Sequence, residues 1–250
     1  MDSNRTQLTP GTLYLVATPI GNLQDITLRA LAVLKNCDFI AAEDTRRTGL
    51  LLKHFGITKP LLSYYKFNEA RRARELIELL RTGKTVALVT DAGTPGISDP
   101  GQRVVEAAVA AGMRVEPVPG PCAFIAALTA SGLPTDEVHF LGFLPRKPGQ
   151  RRAKLESLRA IPGTLVLYEA PHRLDKLLTE LCEVFPNRRV VLARELTKKF
   201  EEFLRGTPSE LRELAGARRL KGEFVIVIGP ERADSNAGQC AGCAGCAGEA

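Results

Sequence analysis

Residues 91–101, with the sequence DAGTPGISDPG, combine two aspartates with three glycines and two prolines directly after an apolar stretch. Glycine lets a backbone come close to a ligand, and proline fixes the shape of a loop. Asp91 would stand at the end of a strand as a charged hydrogen-bond acceptor, and a buried aspartate needs a partner. A tight turn alone does not account for so long a stretch, so we predict a ligand-binding loop.

A second loop and an acidic cluster are predicted to share that edge of the sheet. Residues 17–22, ATPIGN, follow the first apolar stretch, and Glu43, Asp44 and Arg46 follow the second. We expect these segments to lie together, because the carboxyl ends of parallel strands form the ligand-binding edge of an open α/β sheet. The cluster could activate a hydroxyl group or contact a substrate; alternatively, Asp44 or Thr45 caps a helix and Arg46 is solvated. The catalytic proton acceptor stays unknown.

Several common chemistries are excluded because the residues they need are missing. Residues 96–101 have the glycine spacing of a phosphate-binding loop, but Gln102 and Arg103 replace the required lysine and hydroxyl residue. The sequence has no Gly-x-Gly-x-x-Gly motif, and its three histidines are dispersed, so we expect no metal site. The spacing CAGCAGC near the end is ligand-like, but it lies in a low-complexity tail that we predict to be disordered.

The 250-residue sequence alternates strand-like apolar stretches with amphipathic helical patterns. This alternation predicts an α/β fold with two α/β domains and mostly parallel sheets. The run PVPGP at residues 117–121 marks the boundary, which gives a flexible tail at 1–10, domains at 11–118 and 119–232, and a disordered tail at 233–250. Strands are predicted near 13–17, 38–42, 85–90, 114–118, 139–144, 164–169, 189–195 and 223–228, and helices from Asp25 and near 45–55, 69–81, 103–111, 122–130, 151–160, 173–185 and 209–214.

Charge and hydropathy favour a polyanionic partner and no membrane span. The formal net charge is +6. No apolar run approaches the roughly 20 residues of a transmembrane helix, and the polar start lacks a signal-peptide pattern, so we expect a cytoplasmic protein. Residues 145–154, PRKPGQRRAK, hold five basic residues and no acidic one, whereas the arginines of 69–81 face glutamates one helical turn away. From composition alone, residues 145–154 form either a solvated surface or a loop that follows the phosphate backbone of RNA.

Six motifs occur in an order that resembles the tetrapyrrole methylase superfamily: ATPIGNL, AEDTR, the loop 91–101, PGP, YEAPHR and KGEF. The first motif reads TPIGN, where tetrapyrrole-methylating members typically read GPGD, and this difference favours the RNA-methylating branch. The resemblance covers residues 11–230. It implies two α/β domains with S-adenosylmethionine in the cleft between them. It also implies 2′-O-methylation of a cytidine in small-subunit ribosomal RNA, and a homodimer.

The resemblance assigns roles to individual residues. The cofactor would be bound by residues of both domains, namely Pro19, Asp91, Ala92, Gly93, Pro95, Ile97, Ser98, Ala123, Tyr168, Gly222 and Glu223. RNA would be contacted by the acidic cluster and by the basic stretch, namely Glu43, Asp44, Arg46, Arg146, Lys147, Arg151 and Arg152. Cys122 stands where the family often has serine, so a hydroxyl group is missing there. We expect Asp91→Ala to abolish cofactor binding and to leave the fold intact.

Two other functions stay open at this level. On the same fold, the protein could methylate a tetrapyrrole, a corrinoid or another small molecule. It could also be a non-catalytic RNA-binding protein of ribosome assembly. Methyl transfer to a corrinoid precursor with RNA untouched would favour the first, and failure to bind S-adenosylmethionine would favour the second.

Overall fold

The computed structural model describes residues 7–231 and contains two five-stranded sheets. The first sheet has the order β3-β2-β4-β1-β5, and all of its pairings are parallel. Its strands are β1 (Thr12–Val16), β2 (Phe39–Ala42), β3 (Leu61–Ser63), β4 (Val86–Val89) and β5 (Arg114–Val118). The helices of this part are α1 (Leu28–Asn36), α2 (Thr45–His54), α3 (Glu69–Arg81) and α4 (Gln102–Ala110).

Helices cover both faces of the first sheet, which explains why its central strand is apolar throughout. All four residues of β4 are buried. Ala87 and Val89 pack in the layer formed by α1 and α2, whereas Val86 and Leu88 pack in the layer formed by α3 and α4. A strand that is buried on both faces gains from apolar residues at every position.

The second sheet has the order β6-β7-β10-β8-β9, and only the pairing of β6 with β7 is parallel. Its strands are β6 (Val138–Phe143), β7 (Thr164–Glu169), β8 (Val190–Arg194), β9 (Glu202–Gly206) and β10 (Phe224–Ile228). The helices are α5 (Ala123–Thr129), α6 (Pro148–Ser157), α7 (Leu174–Val184) and α8 (Pro208–Arg218).

The expectation of mostly parallel sheets is confirmed for the first sheet and wrong for the second. Residues 195–201 join β8 to β9 without a helix, and a parallel neighbour would need a longer crossover connection. β10 lies between β7 and β8 and runs antiparallel to both. All five residues of β10 are buried, so its apolar pattern is the same for either direction.

The predicted elements agree best where the apolar period is long. Helix α3 occupies the predicted residues 69–81, whereas the helix predicted to begin at Asp25 begins at Leu28. Thr27 caps that helix through a hydrogen bond from the N–H of Ala30, and Asp25 lies in a short 3-10 helix before it. Strands β3 and β9 were not predicted. Both lie at a sheet edge and are only partly buried, so their apolar signal is weak.

The strands of the two sheets come from separate stretches of chain, which we call the N-terminal half (12–118) and the C-terminal half (123–228). The exact domain boundaries stay a prediction. Most of the predicted N-terminal tail and the whole tail at 233–250, with its CAGCAGC spacing, lie outside the described residues. Within residues 7–231, none of the helices has the length and apolar character needed to cross a membrane.

Candidate functional site

The two glycine- and proline-containing loops of the N-terminal half lie side by side, as predicted. Backbone N–H groups of Thr18 and Gly93 donate to each other's carbonyl oxygens, at 2.9 and 3.0 Å. The Thr18 hydroxyl also donates to the carbonyl of Thr90 at 3.1 Å. Both loops leave the carboxyl ends of adjacent parallel strands, β1 and β4, so the sheet itself brings them to one edge.

The acidic cluster after β2 is bound to the start of the loop 91–101. The carboxylate of Asp91 accepts the N–H of Asp44 at 3.1 Å, and the carboxylate of Glu43 accepts the N–H of Asp91 at 3.4 Å. The guanidinium of Arg47 lies 3.2 Å from Asp91. The predicted proximity of the cluster to this edge is therefore correct.

Asp44 and Arg46 form the helix cap that the sequence offers as the alternative to a catalytic or substrate-contacting cluster. Asp44 caps α2 by accepting the N–H of Arg46 at 2.8 Å, and the guanidinium of Arg46 pairs with it at 2.9 Å. This guanidinium lowers the pKa of Asp44 to about 2. An ionised cap also stabilises the helix N-terminus. An RNA contact of Asp44 and Arg46 stays a prediction.

A cavity of about 330 Å³, which we call the central cavity, lies between the two halves. Its N-terminal wall comes from Ile20 and the loop 91–101, and its C-terminal wall comes from the ends of β6, β7, β8 and β10. Six of the residues predicted to bind the cofactor line it: Ala92, Gly93, Ile97, Ala123, Tyr168 and Glu223. Their role in binding stays a prediction.

Two glycines allow the halves to approach closely beside the central cavity. A Cβ on Gly21 would lie 2.5 Å from Cγ of Lys198 and 3.0 Å from the carbonyl oxygen of Leu196. Gly142 has a φ of +61°, and a Cβ there would lie 3.0 Å from the hydroxyl of Ser98. Any side chain at these positions would push the walls apart, since packed interiors tolerate little added volume.

Asp99 carries the most perturbed carboxyl group of the N-terminal wall. Burial raises the pKa of Asp99 to about 7, and the nearby charges of Glu43 and Asp91 act in the same direction. Within residues 7–231, Asp99 forms neither an ion pair nor a side-chain hydrogen bond. A carboxyl with this pKa exchanges a proton near neutral pH.

The C-terminal wall contributes a second buried carboxyl group. Glu169 is 2% exposed, and its Oε1 accepts the N–H of Ala170 at 2.8 Å and lies 3.1 Å from Nε of Arg173. Burial raises the pKa of Glu169. Its Oε2 has no hydrogen-bond partner among the described residues, which leaves an acceptor for a ligand at the cavity wall.

Lys198 is the cation of the C-terminal wall. Its ammonium lies 3.1 Å from Glu195 and 2.9 Å from Glu223, so these contacts partly balance its charge. Asp99, Glu169 and Glu223 line the central cavity together with one lysine, so acidic side chains outnumber basic ones in its lining. No group of three or more His, Cys, Asp or Glu side chains in residues 7–231 is placed to hold a metal ion.

A second recess of about 400 Å³, the rim pocket, lies entirely in the N-terminal half. It is lined by Pro19, Asp91, Arg47 and His54, among others. Pro19 and Asp91 thus line the rim pocket and not the central cavity, and their role in cofactor binding stays a prediction. The N–H of Asp44 and the guanidinium of Arg47 hold the Asp91 carboxylate toward α2 and away from the central cavity.

Three other residues predicted to bind the cofactor also lie outside the lining of the central cavity. Pro95 is buried within its loop, and Ser98 is turned toward Gly142 with a φ of +65°. Gly222 has a φ of +98° and packs against the side chain of Glu195. These residues belong to the loops that carry the lining residues, and their own contact with the cofactor stays a prediction.

The basic stretch 145–154 is a loop only at its start. Helix α6 begins at Pro148, and Arg151 is buried in two hydrogen bonds of 2.6 Å to Glu180 of α7. Arg152 pairs with Glu156 at 3.0 Å and with Glu183 at 2.5 Å. The expectation of a loop with unpaired charges is therefore wrong for these two arginines, because Glu180 and Glu183 come from α7 and Glu156 lies one turn further along α6.

Arg146 and Lys147 keep the exposure that an RNA contact needs. Both are exposed, and neither forms an ion pair with any residue in the range 7–231. They follow Phe143, an exposed aromatic residue of the central cavity wall.

The sequence places Asp99 in the predicted ligand loop without a role of its own, and it does not predict that Glu169 and Lys198 line the same cavity. Glu169 carries a usable signal, because an acid directly after the apolar run TLVLY stands at the end of a buried strand. Asp99 lies within the predicted ligand loop, but the sequence does not show which of its two aspartates faces the cavity. Lys198 sits in a polar segment without a pattern, and only the packing against Gly21 reveals its position.

Comparisons with known proteins agree with this architecture. Residues 12–212 match the family described as Tetrapyrrole (Corrin/Porphyrin) Methylases. A curated relative, "Ribosomal RNA small subunit methyltransferase I" of Halalkalibacterium halodurans, is 51% identical over 218 residues, which are 87% of this chain and 75% of the relative.

Solved structures are similar over nearly the same range. A uroporphyrin-III-C-methyltransferase from Thermus thermophilus is 27% identical with a TM-score of 0.60, over 88% of this chain and 94% of that one. A uroporphyrin-III C-methyltransferase from the same organism, complexed with S-adenyl homocysteine, is 21% identical with a TM-score of 0.61, over 87% and 97% of the two chains. The second likeness is one of fold.

Proposed function

The chain belongs to the tetrapyrrole methylase family, and we propose that it methylates the ribose 2′-hydroxyl of a cytidine in small-subunit ribosomal RNA with S-adenosylmethionine. The observation that carries this proposal is the central cavity, because both halves build it from loops at strand ends. Ribosomal RNA as substrate is supported by the relative with 51% identity. The cytidine, the 2′-hydroxyl and a homodimer come from the motif resemblance, and the proposed cytoplasmic location comes from the hydropathy pattern of the sequence.

The residues of the central cavity fit the chemistry of S-adenosylmethionine. Tyr168 and Phe143 offer aromatic surface to a heteroaromatic ring, and the acidic balance suits a cationic ligand. The free Oε2 of Glu169 needs a hydrogen-bond donor, which the amino groups of this cofactor provide. Ala92, Gly93, Ile97, Ala123, Tyr168 and Glu223 would hold it. When bound, S-adenosylmethionine supplies a methyl group on a positively charged sulfur.

Asp99 is our proposed proton acceptor for the attacking hydroxyl group. A ribose hydroxyl is a weak nucleophile, and a base with a pKa near the working pH assists it best. Burial raises the pKa of Asp99 to about 7, so the carboxylate is present at neutral pH and still basic. Its position on the cavity wall, without a competing ion pair in the described chain, leaves it open to a substrate.

The experiment is methyl transfer followed by mapping of the product. Purified protein is incubated with small-subunit particles, and with naked ribosomal RNA, from cells that lack the gene, using S-adenosylmethionine with a labelled methyl group. We expect one labelled cytidine, with alkali-resistant linkage at its 3′ side because the 2′-oxygen is blocked. The same position should lack its methyl group in RNA from the deletion cells.

Other outcomes would select the competing functions. Label on a corrinoid precursor with RNA untouched would contradict the proposal in favour of small-molecule methylation. Binding of RNA without calorimetric binding of S-adenosylmethionine would point to a non-catalytic RNA-binding protein. Label on a base, with the backbone still cleaved by alkali, would support RNA as the substrate and would contradict the 2′-hydroxyl as the methylated group.

A further inference from the structure

Two aromatic side chains are exposed next to each other at the ligand-binding edge of the first sheet. Tyr65 and Phe67 lie in the turn between β3 and α3, which we call the aromatic turn (residues 64–68). The side chain of Phe67 is 88% exposed and that of Tyr65 is 41% exposed. Their ring centroids are 6.3 Å apart with an interplanar angle of 69°. Isolated exposed apolar residues are common, but a paired aromatic surface indicates a binding site.

Hydrogen bonds hold the aromatic turn in one shape. The side-chain oxygen of Asn68 accepts the N–H of Tyr65 at 2.8 Å, and its amide nitrogen donates to the carbonyl of Ser63 at 3.1 Å. Tyr64, the first residue of the turn, is buried and donates its N–H to the carbonyl oxygen of Ala42 in β2 at 2.8 Å. The rings therefore sit on a fixed base, which lowers the entropy lost when they bind a partner.

The aromatic turn is also tied to the loop of the central cavity. Oε1 of Glu69 accepts the hydroxyl of Tyr64 at 3.2 Å and the N–H of Gly101 at 3.3 Å. Strand β3 is two strands from β4 in the sheet, which is roughly 10 Å at the usual strand spacing. The rings and the loop 91–101 consequently keep a fixed separation along the same edge.

Positive charges accompany the rings along this edge. Lys66 lies between them, is exposed, and forms no ion pair with the residues that the structure describes. The side chains of Arg46 and Arg47, at the start of α2 after β2, are 89% and 70% exposed. Cations beside exposed rings match a phosphate backbone with unpaired bases.

We propose that Tyr65 and Phe67 stack on an unpaired nucleobase that flanks the methylated nucleotide, while Lys66 contacts the adjoining phosphate. This inference rests on the proposed function, because it takes RNA as the substrate. Unpaired bases in RNA are recognised by stacking on aromatic side chains, with little dependence on sequence. A second copy of this chain fits the surface less well. A two-fold symmetric contact through the aromatic turn would place Lys66 of the two copies close together, and their like charges would repel.

The test measures RNA affinity and cofactor affinity separately on the full-length protein. The probe is a fluorescent single-stranded RNA that spans the methylated nucleotide found with the wild-type enzyme. The variants are Phe67→Ala, Phe67→Leu and Phe67→Trp. The control is Val109→Ala, because Val109 is also an exposed apolar residue, 63% exposed, and lies near the C-terminal end of α4, the helix that begins at this edge. Calorimetry with S-adenosylmethionine and sedimentation of each variant complete the set.

We expect Phe67→Ala to raise the Kd for RNA on the order of tenfold, as loss of one stacked base does. Phe67→Leu should lose as much, since it keeps the apolar surface and removes the π face, whereas Phe67→Trp should retain wild-type affinity. Val109→Ala should match the wild type, and cofactor affinity should stay unchanged in all four variants.

Three results would overturn the inference. One is RNA binding by Phe67→Ala at wild-type affinity, another is full retention by Phe67→Leu, and the last is a change of oligomeric state in Phe67→Ala. If the wild-type protein methylates RNA and Phe67→Ala does so equally well at low RNA concentration, the inference fails and the proposed function stands. If the wild-type protein leaves ribosomal RNA unmethylated, the proposed function itself fails.

Discussion

The central cavity and the rim pocket both border the loop 91–101, yet they are built and charged differently. Both halves line the central cavity, whose charged lining residues are three acids, Asp99, Glu169 and Glu223, and a single lysine. Only the N-terminal half lines the rim pocket, where Arg47 and His54 accompany the single carboxylate of Asp91. The first suits a cationic cofactor, and the second lies on the basic edge that suits RNA. The two aspartates of one loop thus serve different recesses.

Replacing Asp99 should give the largest effect on the central cavity. We expect Asp99→Asn to lower kcat by about 10²–10⁴-fold, with nearly unchanged affinity for the cofactor, because only the proton acceptor is lost. In the wild type, kcat should rise with pH and level off above pH about 7, since the carboxyl must be ionised. Single-turnover methyl transfer at several pH values measures both.

Stability provides the control for this variant. Burial raises the pKa of Asp99 in the folded state from its ordinary value of 3.8 to about 7, so its stabilising effect is present below pH about 4 and is lost as the pH rises toward 7. Asp99→Asn should therefore be more stable than the wild type at pH 8, on the order of 2 kcal/mol once solvent screening of this partly exposed group is included, and equal to it below pH about 4. Reduced kcat together with reduced stability at pH 8 would contradict the proposed environment of Asp99.

Gly21→Ala tests whether the central cavity depends on close contact of the halves. The added methyl group would meet Lys198 and the backbone oxygen of Leu196, and overpacking of this kind typically costs about 1–3 kcal/mol. We expect the Kd for S-adenosylmethionine to rise on the order of tenfold or more by calorimetry. Gly149→Ala is the matched control, because nothing lies within 4 Å of its added Cβ. Equal cofactor affinity in both variants would show that the contact at Gly21 is dispensable.

Asp91→Ala separates the two recesses most directly. The sequence alone predicts complete loss of cofactor binding, but Asp91 lies at the rim pocket and contacts Asp44 and Arg47. We now expect a loss of roughly three- to tenfold in cofactor affinity through a loosened loop, comparable to one lost hydrogen bond of ordinary strength. Asp91→Asn should lose less, because its amide oxygen can still accept the N–H of Asp44. Complete loss of cofactor binding in Asp91→Asn would instead indicate that Asp91 contacts the cofactor directly.

The smallest effect is expected at the rim pocket itself. Arg47→Gln should weaken RNA binding a few-fold and reduce the salt dependence of log Kd by about one unit of slope, as loss of one phosphate contact does. Arg152→Gln is the control, since Glu156 and Glu183 occupy its guanidinium. Titrations of RNA at several salt concentrations measure the slope. An unchanged slope in Arg47→Gln, or an equal reduction of the slope in Arg152→Gln, would show that the rim pocket does not contact RNA.

The sequence by itself determined the elements with strong local patterns and the edge at which they end. The helix at residues 69–81 and the buried strand β4 follow from apolar periodicity, which depends only on neighbouring residues. The placement of the loops 17–22 and 91–101 beside Glu43 follows from the parallel direction of β1, β2 and β4. Family motifs then supplied the cofactor and the substrate class.

Only the tertiary structure decided which partners each charged side chain finds and which direction the strands of the second sheet take. Arg151 is neutralised by Glu180 of another helix, and Asp91 turns to Arg47 while Asp99 faces the cavity. Strand β10 is equally apolar on both faces, so its antiparallel position between β7 and β8 has no local signature. Burial and pairing are properties of distant contacts, and a local pattern does not contain them.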